Sequence, residues 1–143
     1  MAKVQDQFKL RVITPAGTAL ETDSTFVKFH AQGGEIGVIQ DHAPTLAKIK
    51  PGELIVQKDE QKDLYFITDG IAEIKQDQVT LLVPFLEKGS ELDLDRVKDA
   101  EKRAVARIEK PTSDTDTSRA KDALTRARAR LYLHELLEKV GKN

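Results

Sequence analysis

The chain has 143 residues, 39% of them hydrophobic and 33% charged, a net charge of −1 and no cysteine. That length suits one compact domain, or one domain with a small appendage. The missing cysteine excludes a disulfide framework, a thiol nucleophile and a thiolate zinc site. His30, His42 and His134 lie far apart and match no metal-binding spacing, so no metal is expected. The longest strongly apolar run, Val79 to Leu86, is far shorter than a membrane span and contains Pro84. The N-terminus lacks a basic-then-apolar export pattern, and export is not expected.

In chain order, short alternating segments come first. Phe8 to Ile13 places Phe8, Leu10 and Val12 on one face, and Thr25 to His30 pairs Val27 with Phe29. Further strands are expected at Leu46–Ile49, Leu54–Gln57, Leu64–Thr68, Ile71–Lys75 and Gln78–Val83. Turn residues separate them at Pro15-Ala16-Gly17, Gln32-Gly33-Gly34, Pro51-Gly52, Asp69-Gly70 and Gln76-Asp77. This density of turns predicts an all-β sandwich of about ten short strands over residues 1–87. No segment here is long enough to be a crossover helix.

At Ser90 the period changes. Ser90 is a favoured N-cap with Asp93 three residues on, and Val97, Ala100, Ala104 and Ile108 follow at helical spacing. Pro111 closes that helix and 111–118 is a polar loop. A second helix runs from about Ser118 to Val140, with Ala120, Ala123, Leu124, Ala127, Leu131 and Leu137 on one side. Residues 88–143 therefore read as an antiparallel two-helix hairpin. Its seam is mainly alanine. Each buried Leu or Val contributes about 1.5–3 kcal/mol, against about 1–2 kcal/mol of backbone entropy per ordered residue. Such a hairpin must dock on something, and easy undocking follows.

Charge is uneven. Residues 1–89 carry more acids than bases, whereas the stretch Arg119 to Arg130 holds five basic residues, Arg119, Lys121, Arg126, Arg128 and Arg130, against one acid, Asp122. Arg126 and Arg130 share a face, as do Arg96 and Arg103 on the first helix. Converging guanidinium groups need an anion, and a polyphosphate or carboxylates would serve; a solvated helix face is the plainer alternative. No catalytic residue emerges. Gly33-Gly34-Glu35-Ile36-Gly37 lacks the Lys-Ser/Thr ending of a phosphate loop and reads as a turn, and Asp41-His42 has no accompanying nucleophile.

Gly34-Glu35-Ile36-Gly37-Val38-Ile39-Gln40-Asp41-His42-Ala43-Pro44-Thr45-Leu46 resembles the signature segment of F-type ATP synthase epsilon subunits. Leu10-Arg11-Val12-Ile13-Thr14-Pro15, Asp69-Gly70-Ile71-Ala72-Glu73-Ile74 and Leu92-Asp93-Leu94-Asp95-Arg96 fit the same family. The resemblance covers essentially the whole chain, in order. It implies a non-catalytic rotor subunit on the central stalk, bound to the gamma subunit and the c-ring, with Glu35 and His42 at the ring and rotor interface. It also implies a hairpin with two positions. Folded down, it permits ATP hydrolysis; extended, its basic helix reaches the alpha/beta catalytic head and inhibits. Arg119, Lys121, Arg126, Arg128 and Arg130 are the implied inhibitory contacts.

Some members of that family bind ATP in the folded hairpin. The matching residues here are Glu87, Asp93, Arg96, Arg103, Arg126 and Arg130, although Val97 stands where the pattern has Ala. The resemblance thus implies no required cofactor, ATP as a regulatory ligand, and no nucleic-acid partner. It implies a peripheral place on the cytoplasmic face of a bacterial inner membrane, or the stromal face of a thylakoid, reached only through the complex. The competing reading is a free β domain whose basic helix binds nucleic acid or anionic lipid. Only Tyr132 supplies an aromatic within that helix, which counts against it.

Overall fold

The computed structural model describes residues 6–141. Ten strands precede two helices: β1 (Phe8–Thr14), β2 (Gly17–Ser24), β3 (Phe26–Ala31), β4 (Gly34–Val38), β5 (Thr45–Ile49), β6 (Gly52–Lys58), β7 (Gln61–Ile67), β8 (Gly70–Ile74), β9 (Gln78–Leu82), β10 (Glu87–Lys88), α1 (Leu94–Glu109) and α2 (Thr117–Gly141). They form one curled sheet in the order β10-β7-β6-β3-β5-β8-β9-β1-β2, with β4 also paired to β3. The all-β sandwich followed by a two-helix hairpin is the architecture that the periodicity predicts.

Strand β3 is the corner. Its first half bonds to β6, through Phe26↔Gln57 to Lys28↔Ile55, while its last residue pairs with β5, Ala31↔Ile49. One strand thereby belongs to both halves of the sheet, which close on a shared core. Phe29, Leu10, Ile49, Leu54, Ile74 and Leu81 are fully buried there. The ladder between β1 and β9 runs parallel, although the strands are remote in sequence. Their connection is the rest of the domain rather than a crossover helix.

Seven strands fall on the alternating segments. The other three are β2, β4 and β10. β2 is an edge strand with only Leu20 half-buried against the core. β4 lies inside the glycine segment: Gln32-Gly33 turns the chain, with Gly33 and Gly34 at φ of 98° and 136°, and Gly34-Glu35-Ile36-Gly37-Val38 then pairs back on β3. A Cβ on Gly37 would sit 3.1 Å from the Phe26 ring, so this strand needs its glycine for close packing.

The first helix begins later than Ser90 suggests. Gly89–Glu91 forms a single 3-10 turn, and α1 is capped by Asp93, whose Oδ1 accepts from Arg96 N at 3.2 Å. The cause lies at Gly89, which is buried: a Cβ there would come within 2.8 Å of Leu137 Cδ1 and 2.9 Å of the Leu64 carbonyl. This close approach occupies the connector and defers the helix to the next competent cap. Asp116 caps α2 in the same manner, accepting from Arg119 N at 3.0 Å.

The hairpin is docked. α1 packs on α2, and α2 packs on β6 and β7. Among the described residues of the two helices, Val97, Ala104, Ala120, Ala127 and Leu133 are buried. A second, smaller core joins Leu133, which is completely buried, to Leu64 and Phe66 of β7, with Phe85, Leu92, Ala129 and Leu137 around them. Leu133 is absent from the helix face expected from sequence, because that face was set by the alanine seam. The sheet-facing stripe runs Ala129, Leu133, Leu137 and shares only Leu137 with the expected face.

Leu133→Ala is expected to cost about 2–5 kcal/mol of docking free energy. Hydrogen exchange is the measure: α2 amides should exchange faster, while those of β1, β3 and β9 keep their protection.

Candidate functional site

The most built-up surface feature is a cleft of about 540 Å³ between the β10–α1 connector and the first helix, within the range of small-molecule sites. Glu87 comes from β10, Glu91 from the connector, Asp93 and Arg96 from the start of α1, Arg103 from two turns further on, and Arg130 from α2. Leu86, Leu92, Val97 and Ala100 supply its apolar part. The helical period explains the grouping. Arg96, Ala100 and Arg103 are four and three residues apart, so they stack on one side of α1. The short β10 strand, paired through Glu87↔Phe66 and Lys88↔Tyr65, holds the opposite wall.

Arg130 is the most constrained charge in the site. Its Nε donates to Glu87 Oε2 at 3.0 Å and its Nη2 to Glu87 Oε1 at 2.8 Å, a bidentate pair. The guanidinium carbon lies 4.4 Å from the centroid of Phe66 and 5.6 Å from that of Phe85. Those two rings are themselves stacked at 6.3 Å. The side chains of Arg130 and Glu87 are only 20% and 35% exposed, so water screens this contact less than a surface pair. It clamps α2 onto β10 and β7. Arg96 and Arg103 form no ion pair among the described residues. With Lys88, which also lines the cleft and has no ion pair among the described residues, they are its uncompensated cations. Beside the cleft, burial and then the charge of Asp63 push the Tyr65 phenol above its ordinary value of 10.0, keeping it protonated at neutral pH.

Five of the six residues aligned with a nucleotide site, Glu87, Asp93, Arg96, Arg103 and Arg130, thus line one cleft. Arg126 does not. It is half-buried on α2, one turn before Arg130. Val97 does line the cleft and is 9% exposed, so the branched side chain takes part in its wall. Among the basic residues of α2, Arg128 pairs with Glu101 of α1 at 3.4 Å, while Arg119 and Lys121 are exposed. Glu35 and His42 sit apart from all of these. Glu35 on β4 pairs with Lys28 at 3.1 Å, and His42 Nδ1 donates to the Ala43 carbonyl at 2.7 Å. The aromatic support of Arg130 by Phe66 and Phe85 has no sequence signal, because it joins residues 64 and 45 positions away.

A β-sandwich domain carrying a docked helical hairpin, with an Arg-lined cleft at the joint and no catalytic constellation among the described residues, has the form of a small non-catalytic subunit. Comparison with known proteins specifies it. The description "ATP synthase, Delta/Epsilon chain, beta-sandwich domain" matches residues 7–89, and "ATP synthase, Delta/Epsilon chain, long alpha-helix domain" matches residues 90–133. The chain is 37% identical over 107 residues to the ATP synthase epsilon chain of Bacillus velezensis, covering 75% of this chain and 81% of that one. It is 38% identical over 105 residues to that of Desulfosudis oleivorans, covering 73% and 79%. A chain in the mitochondrial ATP synthase of Euglena gracilis (OSCP/F1/c-ring) superposes with a TM-score of 0.82 at 21% identity, covering 92% of this chain and 83% of its own. One in the central stalk and c-ring of Tetrahymena thermophila gives 0.61 at 13%, covering 92% and 99%. At those identities the likeness is one of fold. The chain belongs to the ATP synthase delta/epsilon family, as an epsilon chain, a non-catalytic subunit of the complex. No described helix is long and apolar enough to cross a membrane.

A double-mutant cycle on Glu87→Gln and Arg130→Lys should return a coupling of about 1 kcal/mol in thermal or denaturant unfolding of the docked hairpin. Strict additivity of the two would show that the clamp contributes nothing to docking.

Proposed function

We propose that this chain is the central-stalk subunit that joins the c-ring to gamma, and that its hairpin governs ATP hydrolysis, with ATP in the Arg-lined cleft favouring the docked position. The observation that carries this reading is the gathering of Asp93, Arg96, Arg103 and the Glu87–Arg130 pair around one cleft of ligand size. Arg96 and Arg103 supply two unpaired guanidinium groups for phosphates, and Leu92, Val97 and Ala100 supply an apolar surface for a base. Because the cleft has walls on both the connector and α1, it exists only while the hairpin is down. A ligand that binds one of two states shifts the population toward it by its differential affinity. Arg126, off the cleft wall in this docked state, reaches such a ligand only if α2 or its own side chain turns.

The same docked contacts explain how inhibition is switched. With the hairpin down, Arg130 is held by Glu87 and Arg128 by Glu101. Extension breaks the α2–β7 contacts and frees Arg130 for an acidic surface on the catalytic head, with Arg119, Lys121 and Arg126 on the same helix. Attachment to gamma and the ring falls to the β domain, with Glu35 and His42 on its exposed loops and edge.

Titration of the full chain with ATP at millimolar concentration should give a saturable heat and shift resonances of 92–103. Arg96→Ala and Arg103→Ala should each weaken binding by at least tenfold, about 1.4 kcal/mol. No heat and no shift at millimolar ATP would remove ATP from the reading. In a reconstituted head–stalk complex, Arg126→Ala with Arg128→Ala leaves the Glu87–Arg130 clamp in place and should raise ATPase activity. Unchanged activity there would speak against the basic helix as inhibitor.

A further inference from the structure

The row Glu35, His30, Glu53 crosses three adjacent strands at the corner of the sandwich, on the sheet rather than in the hairpin. His30 and Glu35 are direct cross-strand partners between β3 and β4. On the other side the β3–β6 ladder ends at Lys28↔Ile55, two residues short of His30, and Glu53 of β6 reaches His30 through its side chain. His30 Nε2 lies 2.9 Å from Glu53 Oε1 and 3.8 Å from Glu35 Oε1. All three donor atoms fall within 4.8 Å of one another. The Glu53 side chain is only 5% exposed. A carboxyl group that buried must be hydrogen-bonded, paired with a charge or bound to a metal.

The geometry points to a divalent transition-metal site, zinc foremost, with His30 Nε2 and one oxygen each of Glu35 and Glu53 as ligands. Tetrahedral zinc with bonds of about 2.0–2.2 Å sets its ligand atoms about 3.3 Å apart. The observed 2.9 and 3.8 Å separations bracket that spacing. One imidazole and two carboxylates give a neutral site with a divalent ion, and water completes the coordination.

Outer contacts already orient two of the three ligands. The His30 ring lies directly on Gly52, where a Cβ would collide with Cδ2, so the glycine admits the ring. Lys28 Nζ holds the outer oxygen of Glu35, Oε2, at 3.1 Å and leaves Oε1 facing His30. Such supporting contacts tune affinity as well as position. A bound ion would staple β4, with the Gln32-Gly33 turn, to β3 and β6. The spacing of histidines along the chain cannot disclose this row. Its ligands are 5 and 23 residues from His30 and meet only through strand pairing.

The test is titration of the full chain with zinc chloride by calorimetry, repeated with Co²⁺ to read its d–d absorption. One saturable site per chain is expected. Glu35→Gln, at a half-exposed side chain that the fold does not rely on, and His30→Gln should each weaken it by roughly 10–100-fold. His42→Gln and His134→Gln should leave it unchanged; the second matters because His134 and Glu138 stand 3.1 Å apart on α2. Circular dichroism of each variant without metal checks its fold. The proposal fails if zinc shows no saturable binding, if Glu35→Gln has no effect, or if binding is lost in His134→Gln.

Discussion

Strand β7 is buried on both faces, and the arrangement of the whole molecule depends on it. Ile67, with Tyr65 half-buried beside it, belongs to the sandwich core, while Leu64 and Phe66 point to the other side and form the second core with Leu133. An ordinary outer strand of a sandwich keeps polar residues on its solvent face. Here that face is apolar and α2 covers it. The β domain is therefore complete only with a cover, and the hairpin is stable only with a support.

That mutual dependence sets the energy scale of the joint. Exposing Phe66, Leu64 and Leu133 together forfeits burial worth about 1.5–3 kcal/mol for each side chain. The Arg130 clamp adds a bidentate charge pair and a cation–π contact, about 0.5–2 kcal/mol for the latter. The sum is large enough to keep the isolated hairpin down. A partner surface that draws it away must therefore supply comparable burial, whereas a ligand bound only to the docked state adds to the sum. The joint is therefore set by packing on one side strand, in a cluster separate from the sandwich core.

Much of this was legible in the sequence because alternation and the 3.6 period are local. Phe8, Leu10 and Val12, or Val97 and Ala104, announce their faces within a few residues. β2 escaped because Thr18, Thr22 and Asp23 give an edge strand little apolar contrast, and β4 because its glycines read as turn throughout. Ser90 looked like the cap since nothing local reveals that Gly89 is wedged against Leu137 and Leu64. The five cleft residues came from family resemblance. Their gathering in space, the exclusion of Arg126 and the Phe66–Arg130 contact came only from the fold.

The two seams of the hairpin differ in kind, and this bears on the control proposed for it. α1 meets α2 through small residues, Ala104, Ala120 and Ala127, whereas α2 meets the sheet through Leu133 and Leu137 backed by Phe66. The first seam offers little apolar area, so α1 is the more weakly held helix. The cleft lies beneath α1, between it and the β10 connector. A ligand there adds contacts where packing is poorest and leaves the stronger α2–β7 seam as it is. On the proposed reading, in which ATP occupies the cleft, its loss would loosen α1 first. Only then would the Arg128–Glu101 contact break and α2 be left on the sheet alone, held by Leu133 and the Glu87–Arg130 clamp.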